Sequence, residues 1–237
     1  PEPHDMNVGL PDLEKIKEVV GKVTGIKAQN FISVNFEGLT KIIDILGGVE
    51  VDVPKTFNDY FYPVKGKENE TCGESPQKIA EYHAKYSGFE LEKRFTCRYE
   101  QLHFDKGVQT MNGETALKFV RSRHSSEHGG DFARSERQSA LLGGVKDKLI
   151  SLQAVGKLSS ILDKVAQNVQ TDLTATQIQR LMGFLANQTE YEVSDVHLTE
   201  ENVLKATTAN GGQFILVPKD GANNFSGIQK FVKENLN

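Results

Sequence analysis

The stretch FISVNFEGLTKIIDILGGVEVDVP, residues 31–54, contains the pattern of a strand, a helix and a second strand. In FISVNF, Ile, Val and Phe occupy every second position on one face, which predicts a strand. GLTKIIDILGG predicts a short helix that the glycine pair 47–48 ends. VEVDVP alternates again and stops at Pro54, because proline cannot donate to a sheet ladder. Interleaved strands and helices predict an α/β fold with helices packed around a sheet.

Helical patterns flank this unit on both sides. PDLEKIKEVVGKVT, residues 11–24, has proline and acidic residues in its first turn and one apolar stripe at helical spacing. Further helices are predicted at 113–123, from about 132 to 152, and at 159–169, 174–188 and 224–236. Strands are predicted at 191–198 and 213–218. The elements continue to interleave to the end of the chain, which agrees with the α/β class.

Residues 55–104 differ from this pattern. They are rich in Tyr, Lys, Glu and Gly, and their periodicity is weak. We expect a long surface insertion with a helix of its own within QKIAEYHAKY, residues 77–86. Cys72 and Cys97 both lie in it. A disulfide between them would staple the insertion and indicate an extracytoplasmic protein, whereas two unrelated thiols would fit a cytosolic one.

The composition excludes several classes of protein. The 237 residues are 38% hydrophobic and 25% charged, as in soluble globular domains. The formal net charge of -4 argues against a nucleic-acid binder, which needs a broad basic face. No apolar run reaches the roughly 18 residues that a membrane span needs. Because the first residue is not methionine, we expect a processed or trimmed product.

Arginines are concentrated in FVRSRHSSEHGGDFARSERQ, residues 119–138. Arg121 and Arg123 would diverge by about 200° on a continuous helix, so they converge only if the helix ends there. The glycine pair 129–130 supports such a break. The remaining arginines then fall near the start of the next helix, where free N–H groups suit anions.

Two readings of this cluster stay open from the residues alone. Arginine holds phosphate through two parallel hydrogen bonds, and several converging arginines would suit a pyrophosphate. Alternatively, the cluster forms surface ion pairs with the acidic residues Glu114, Glu127, Asp131 and Glu136. His124 and His128 have the spacing of a zinc pair but no evident third ligand. We expect Asp44, Asp52 and Asp59 to be surface or turn residues rather than acid or base catalysts.

Three separated patterns resemble the LytR–CpsA–Psr family. MNGETALKFVRSRH followed by GGDFARSERQ resembles the family's signature. NFEGLTKIIDILGGVEVDVPKTF resembles its strand–helix–strand segment, and GGQFILVPKDG resembles its closing strand. The patterns occur in the family's order and cover nearly the whole chain. The resemblance implies one catalytic domain over residues 1–237, with three α-β-α layers around a mostly antiparallel or mixed central sheet and the surface insertion at about 55–104.

The resemblance also implies a function. Members of the family are extracytoplasmic, membrane-anchored phosphotransferases that move a glycopolymer, such as teichoic acid or capsule, from a polyprenyl-pyrophosphate carrier onto peptidoglycan. The expected partners are therefore a polyprenyl-pyrophosphate-linked glycan, peptidoglycan and, through an anchor outside this chain, the membrane. Nucleic acid is not an expected partner, although a regulatory DNA-binding role is a weaker reading that the acidic charge opposes.

The site residues follow from the family's motifs. Asp131 would cap its helix and orient an arginine, and Arg137 would either bind the ligand or face an acidic structural partner. Leu141 and Val145 are candidates for lining a lipid tunnel, with ordinary core packing as the alternative, as for their neighbours Ala140 and Leu149 and for Ile45. The pyrophosphate would be held by Arg121, Arg123, Arg134 and Gln138.

One part of the family pattern is not matched. The family begins with two more strands, which carry an aspartate pair for Mg²⁺ and an arginine in an I-P-R-D motif, and residues 1–37 do not match them. The resemblance therefore implies a Mg²⁺ cofactor whose ligands lie in those strands, and an N-terminally incomplete domain. The alternative function is a non-catalytic module that binds polyprenyl phosphate or an anionic wall polymer.

Overall fold

A computed structural model describes residues 10–151, 163–186 and 196–236. The chain divides into two compact units, one of Pro1–Gly38 with Gln153–Asn237 and one of Leu39–Leu152. The helices are α1 Leu10–Thr24, α2 Phe36–Ile45, α3 Pro76–Lys85, α4 Gly88–Glu92, α5 Gly113–Arg121, α6 Gly130–Ser151, α7 Ala175–Ala186 and α8 Ser226–Asn235. The strands are β1 Ile32–Val34, β2 Val49–Val53, β3 Phe57–Pro63, β4 Tyr99–Phe104, β5 Gly107–Met111, β6 Val169–Thr171, β7 Leu204–Thr208 and β8 Phe214–Pro218.

The strand–helix–strand pattern at 31–54 is confirmed as β1, α2 and β2. Helix α2 ends because Gly47 and Gly48 take positive φ angles of 75° and 89°. The N–H of Gly48 then donates to the carbonyl of Ile43 at 2.9 Å, which satisfies an acceptor at the end of the helix. Along β2 the burial alternates strictly, with the three valines buried and the acidic residues between them exposed.

Most of the other predicted elements are confirmed. Helices α1, α5, α6, α7 and α8 and strand β8 lie where the sequence places them, with ends that differ by a few residues. Of the predicted helix 159–169, residues 159–162 lie outside the described residues, 163–165 are helical, 166–168 form a turn, and Val169 begins β6. The predicted strand 191–198 lies largely outside the described residues. Within that range, residues 196–198 are described and are not in a strand.

The strands pair differently from the expected central sheet. The α/β class and the antiparallel pairing are confirmed, but the described strands form four two-stranded sheets: β1 with β6, β2 with β5, β3 with β4, and β7 with β8. Alternation along a strand reveals which face is buried and not which strand is its neighbour. The sequence therefore predicted the positions of β1, β2 and β8 but not the strands with which they pair.

The prediction that 55–104 is a surface excursion was wrong at both ends of the segment. Strands β3 and β4 pair across its base, where Phe57 and Phe104 are buried and stack with ring centroids 5.2 Å apart. Only residues 64–98 lie outside this ribbon, and we call them the disulfide lobe. The disulfide of Cys72 and Cys97 is confirmed, and α3 confirms the predicted helix.

Helix α6 packs across β2 at its glycine pair. A Cβ atom on Gly144 would overlap the backbone carbonyl oxygen of Glu50, whereas one on Gly143 would meet nothing within 4 Å. Gly144 therefore permits close contact between a helix and a strand.

Alanine at these two positions should have opposite effects on stability. Both substitutions gain about 1 kcal/mol of helix propensity. Gly144→Ala also forces α6 away from β2, and we expect a net loss of about 1–3 kcal/mol of unfolding free energy. Gly143→Ala, the matched control, should gain up to about 1 kcal/mol. Urea unfolding of both variants tests this, and equal shifts would contradict the close contact.

Candidate functional site

The two arginines of the first motif leave the end of a helix. Helix α5 ends at Arg121, and Ser122 has φ -53° and ψ 136°, which is outside the helical region. Arg123 therefore lies beyond the helix, as its convergence with other arginines requires. Gly130 opens α6, and its N–H donates to the carbonyl of Arg123 at 3.0 Å, which brings the two motifs together.

Arg123 and Arg134 converge on one carboxylate oxygen. Oδ1 of Asp131 lies 2.8 Å from Nη2 of Arg123 and 3.0 Å from Nη2 of Arg134. Asp131 thus forms ion pairs with two arginines. It lies inside the first turn of α6 and not at the expected cap position before it. All three side chains are partly exposed, and ion pairs of this kind contribute little stability. The two guanidinium groups can therefore bind a phosphate, either beside Asp131 or in its place.

The other two predicted ligands are Arg121, the last residue of α5, and Gln138, in α6. The guanidinium of Arg121 lies over the ring of Tyr62, with its Cζ 5.9 Å from the ring centroid. Burial raises the pKa of the Tyr62 hydroxyl, and the positive charge of Arg121 opposes that rise. Gln138 is exposed on α6, one helical turn after Arg134. Ligand binding by these two side chains stays a prediction.

Arg137 has a structural role, which is the second of the two alternatives that its motif left open. Its side chain is fully buried. It donates to the backbone carbonyl of Phe119 at 2.9 Å, to that of His128 at 2.7 Å, and to that of Ser122. Burial lowers the pKa of Arg137 to about 10, and the nearby charge of Asp59 opposes the shift. Direct ligand contact by Arg137 does not fit this burial.

Asp59 was expected to be a surface or turn residue, but it lies in β3 and is completely buried. Its Oδ2 accepts from the Ser122 hydroxyl at 2.6 Å and from the N–H groups of Arg123 and His124 at 3.1 and 3.2 Å. Burial alone would raise the pKa of Asp59, but the hydrogen bonds outweigh it, and the pKa lies below its usual value. Asp59 lies two positions after Phe57 and so on the same face of the strand, and this spacing was the signal in the sequence that it points inward.

Ser122 is therefore clamped between two buried charges. Asp59 holds its hydroxyl, and Arg137 holds its carbonyl. The residues on either side, Arg121 and Arg123, carry the exposed guanidinium groups. The clamp fixes the backbone from which both arginines project, so it determines the geometry of the candidate site without contacting a ligand.

The sequence matches the LytR_cpsA_psr family over residues 12–230. The chain belongs to this family. TagV of Bacillus subtilis, named a polyisoprenyl-teichoic acid–peptidoglycan teichoic acid transferase, is 23% identical over 219 residues, which cover 92% of this chain and 46% of TagV. Biofilm regulatory protein A of Streptococcus mutans is 26% identical over 223 residues, which cover 89% of this chain and 45% of that protein.

The chain spans about half the length of these LytR_cpsA_psr relatives. The crystal structure of B. subtilis TagV matches it with a TM-score of 0.60 and 22% sequence identity, over 94% of this chain and 70% of the TagV chain. At this identity the likeness establishes the fold. The family's fold is thus shared, and the arginine motifs lie within the matched residues.

The family resemblance implies magnesium, and the described residues do not fit such a site. Across residues 10–151, 163–186 and 196–236, no three His, Cys, Asp or Glu side chains are grouped as metal ligands. His124 and His128, which have the spacing of a zinc pair, contact different residues. Nε2 of His128 lies 2.8 Å from Glu136, whereas the ring of His124 stacks on Phe89.

The two residues predicted to line a lipid tunnel differ in burial. Leu141 is buried in the same stripe of α6 as Arg137, which is the core packing that the alternative predicted. Val145 is half-buried. A contact between Val145 and lipid stays a prediction for this member of the LytR_cpsA_psr family.

Proposed function

We propose that this protein is an extracytoplasmic phosphotransferase that attaches a glycopolymer of the teichoic acid or capsule type from a polyprenyl-pyrophosphate carrier to peptidoglycan. The observation that carries the proposal is the convergence of Arg123 and Arg134 on Asp131. Membership of the LytR_cpsA_psr family and the transferase name of TagV support it.

The arginines suit the chemistry of this transfer. A hydroxyl of the acceptor attacks the phosphorus next to the sugar, the bond from that phosphorus to the bridging oxygen breaks, and polyprenyl phosphate leaves. The acceptor's proton passes to solvent. Phosphoryl transfer depends on positioning and on neutralising the charge that builds up on the phosphate oxygens. Arg123 and Arg134 would supply both, and Arg121 and Gln138 would extend the grip along the pyrophosphate.

Two features bear on location. A disulfide such as Cys72–Cys97 persists in oxidising compartments, which supports a place outside the cytoplasm. Within the described part of the chain, no helix is long and apolar enough to cross a membrane. The membrane anchor is therefore part of the proposal, as is magnesium, and no step above depends on either.

Binding of a polyprenyl-pyrophosphate analogue tests the site. We expect Arg123→Ala and Arg134→Ala to weaken binding by roughly ten- to a hundredfold each, since each removes a charge-assisted hydrogen bond of about 1.5–3 kcal/mol. Arg94→Ala is the control, because that guanidinium packs over Tyr86 in the disulfide lobe. Isothermal titration calorimetry measures all four proteins, and equal affinities would refute the roles given to Arg123 and Arg134.

A non-catalytic binding module is the second candidate, and it is favoured by the lack of a grouped set of metal ligands in the described ranges. The two functions differ in turnover. Incubation with a labelled lipid-linked glycan and peptidoglycan, with magnesium present, should transfer label to the peptidoglycan if the protein is a transferase. Tight binding of the lipid-linked glycan without transfer would support the module instead.

A further inference from the structure

The disulfide lobe contacts the arginine motif directly. The ring of Phe89, in α4, stacks on the ring of His124, with centroids 4.2 Å apart and planes 13° from parallel. His124 directly follows Arg123 in the chain. Phe89 of the lobe thus contacts His124, the neighbour of Arg123, which we assign to the pyrophosphate site.

Phe89 makes a further aromatic contact on the β3–β4 ribbon. Phe61 of β3 contacts it edge to face, with centroids 5.4 Å apart, and Phe61 contacts Tyr99 of β4 in the same manner. At the other end of α4, Glu92 accepts hydrogen bonds of 3.1 Å from the Tyr99 hydroxyl and from Arg98. Arg98 follows the disulfide-bonded Cys97. The disulfide, α4 and the β3–β4 ribbon therefore form one connected support for Phe89.

His124 is fixed at both its backbone and its ring. Its N–H donates to Asp59, and Phe89 covers a face of the imidazole. The side chain is nevertheless exposed, and neither ring nitrogen has a hydrogen-bond partner among the described residues. An exposed surface histidine normally samples several rotamers, so a ring held this way has already lost the freedom that binding would otherwise remove.

We propose that His124 is a further ligand-binding residue of the arginine site, which donates a ring N–H to a phosphate oxygen beside Arg123, and that Phe89 is its positioning residue. Stacking uses the face of the imidazole and leaves the nitrogens at its edge available for donation. The disulfide lobe then forms part of the anion site. The inference rests on the proposed function for the identity of the ligand as a pyrophosphate.

Three variants test whether His124 binds phosphate and Phe89 positions it, or whether their stack only attaches the disulfide lobe to the arginine motif. His124→Phe keeps an aromatic ring for stacking and removes both nitrogens, and we expect about tenfold weaker binding of inorganic pyrophosphate with an unchanged melting temperature. Phe89→Leu keeps an apolar side chain and loses the stack, and we expect an intermediate loss of affinity. Because Phe89 acts through His124, the double variant should bind no more weakly than His124→Phe alone.

Titration calorimetry with Arg123→Ala as a reference distinguishes the possible failures. If Arg123→Ala loses affinity and His124→Phe binds like the wild type, the role of His124 is refuted and the proposed function stands. If Phe89→Leu weakens binding equally with and without the His124 nitrogens, the positioning role is refuted. If the wild-type protein does not bind pyrophosphate, or Arg123→Ala binds as tightly, the proposed function and this inference both fail.

Discussion

Replacing Arg137 with methionine is expected to lower the free energy of unfolding by about 3–5 kcal/mol, as when one member of a buried charged pair is removed. The guanidinium donates to three backbone carbonyls, those of Phe119, Ser122 and His128. Methionine fills the space and cannot donate to any of them. Asp59 would also lose the positive charge that compensates it in the buried region.

Two further variants make the Arg137 prediction specific. Arg134→Met, three residues earlier on the same helix, removes a partly exposed ion pair and should cost less than about 1 kcal/mol. Arg137→Lys keeps the charge without the planar group that reaches several carbonyls, so its stability should fall between those of the methionine variant and the wild type. Denaturant unfolding measures all three, and equal stability of the two methionine variants would show that Arg137 is not structural.

The convergence of Arg123 and Arg134 was predictable because its signals are local in the sequence. Arg121 and Arg123 lie at a helix end that the glycine pair 129–130 predicts, and Arg134 follows the start of the next helix. Asp131 pairs with two arginines that lie within a turn or a short loop of it. Short separations along the chain leave few possible geometries, so the pattern constrains the outcome.

The distinction between Arg134 and Arg137 needed more than the motif. Both lie in α6, but Arg137 is in phase with the buried residues Ala133, Leu141 and Gly144, and Arg134 is not. That stripe contains an alanine, an arginine and a glycine, which a search for apolar residues does not recognise as a core face. A positive charge in a core stripe is favourable only when partners elsewhere receive its hydrogen bonds.

Asp59 and the disulfide lobe depend on contacts between distant parts of the chain. Asp59 reaches Ser122 across 63 positions of sequence. A shift of register between Asp59 and Tyr62 also interrupts the alternation of β3, so the strand looked like irregular surface chain. The stack of Phe89 on His124 follows from the way α4 packs, and no single-sequence pattern encodes it.

Asp59→Asn should lower the unfolding free energy by roughly 2–3 kcal/mol at neutral pH, because hydrogen bonds to a charged acceptor become weaker ones to an amide. The amide also presents an NH₂ group where the carboxylate accepts from Ser122 and from backbone N–H groups. Arg137 loses the negative charge that balances it. Asp52→Asn on the exposed face of β2 is the control, and should change stability by less than about 0.5 kcal/mol.

The effect of Asp59→Asn should depend on pH in one direction. The pKa of Asp59 is lower in the folded state than its ordinary value of 3.8, so the folded state favours the ionised carboxylate. Its contribution is therefore fully present above that ordinary value and is lost as the pH falls through the folded pKa. The stability difference between wild type and Asp59→Asn should shrink steadily below about pH 4. If this stability difference stayed constant until the protein unfolds in acid, the charge of Asp59 would not stabilise the loop that carries Arg123.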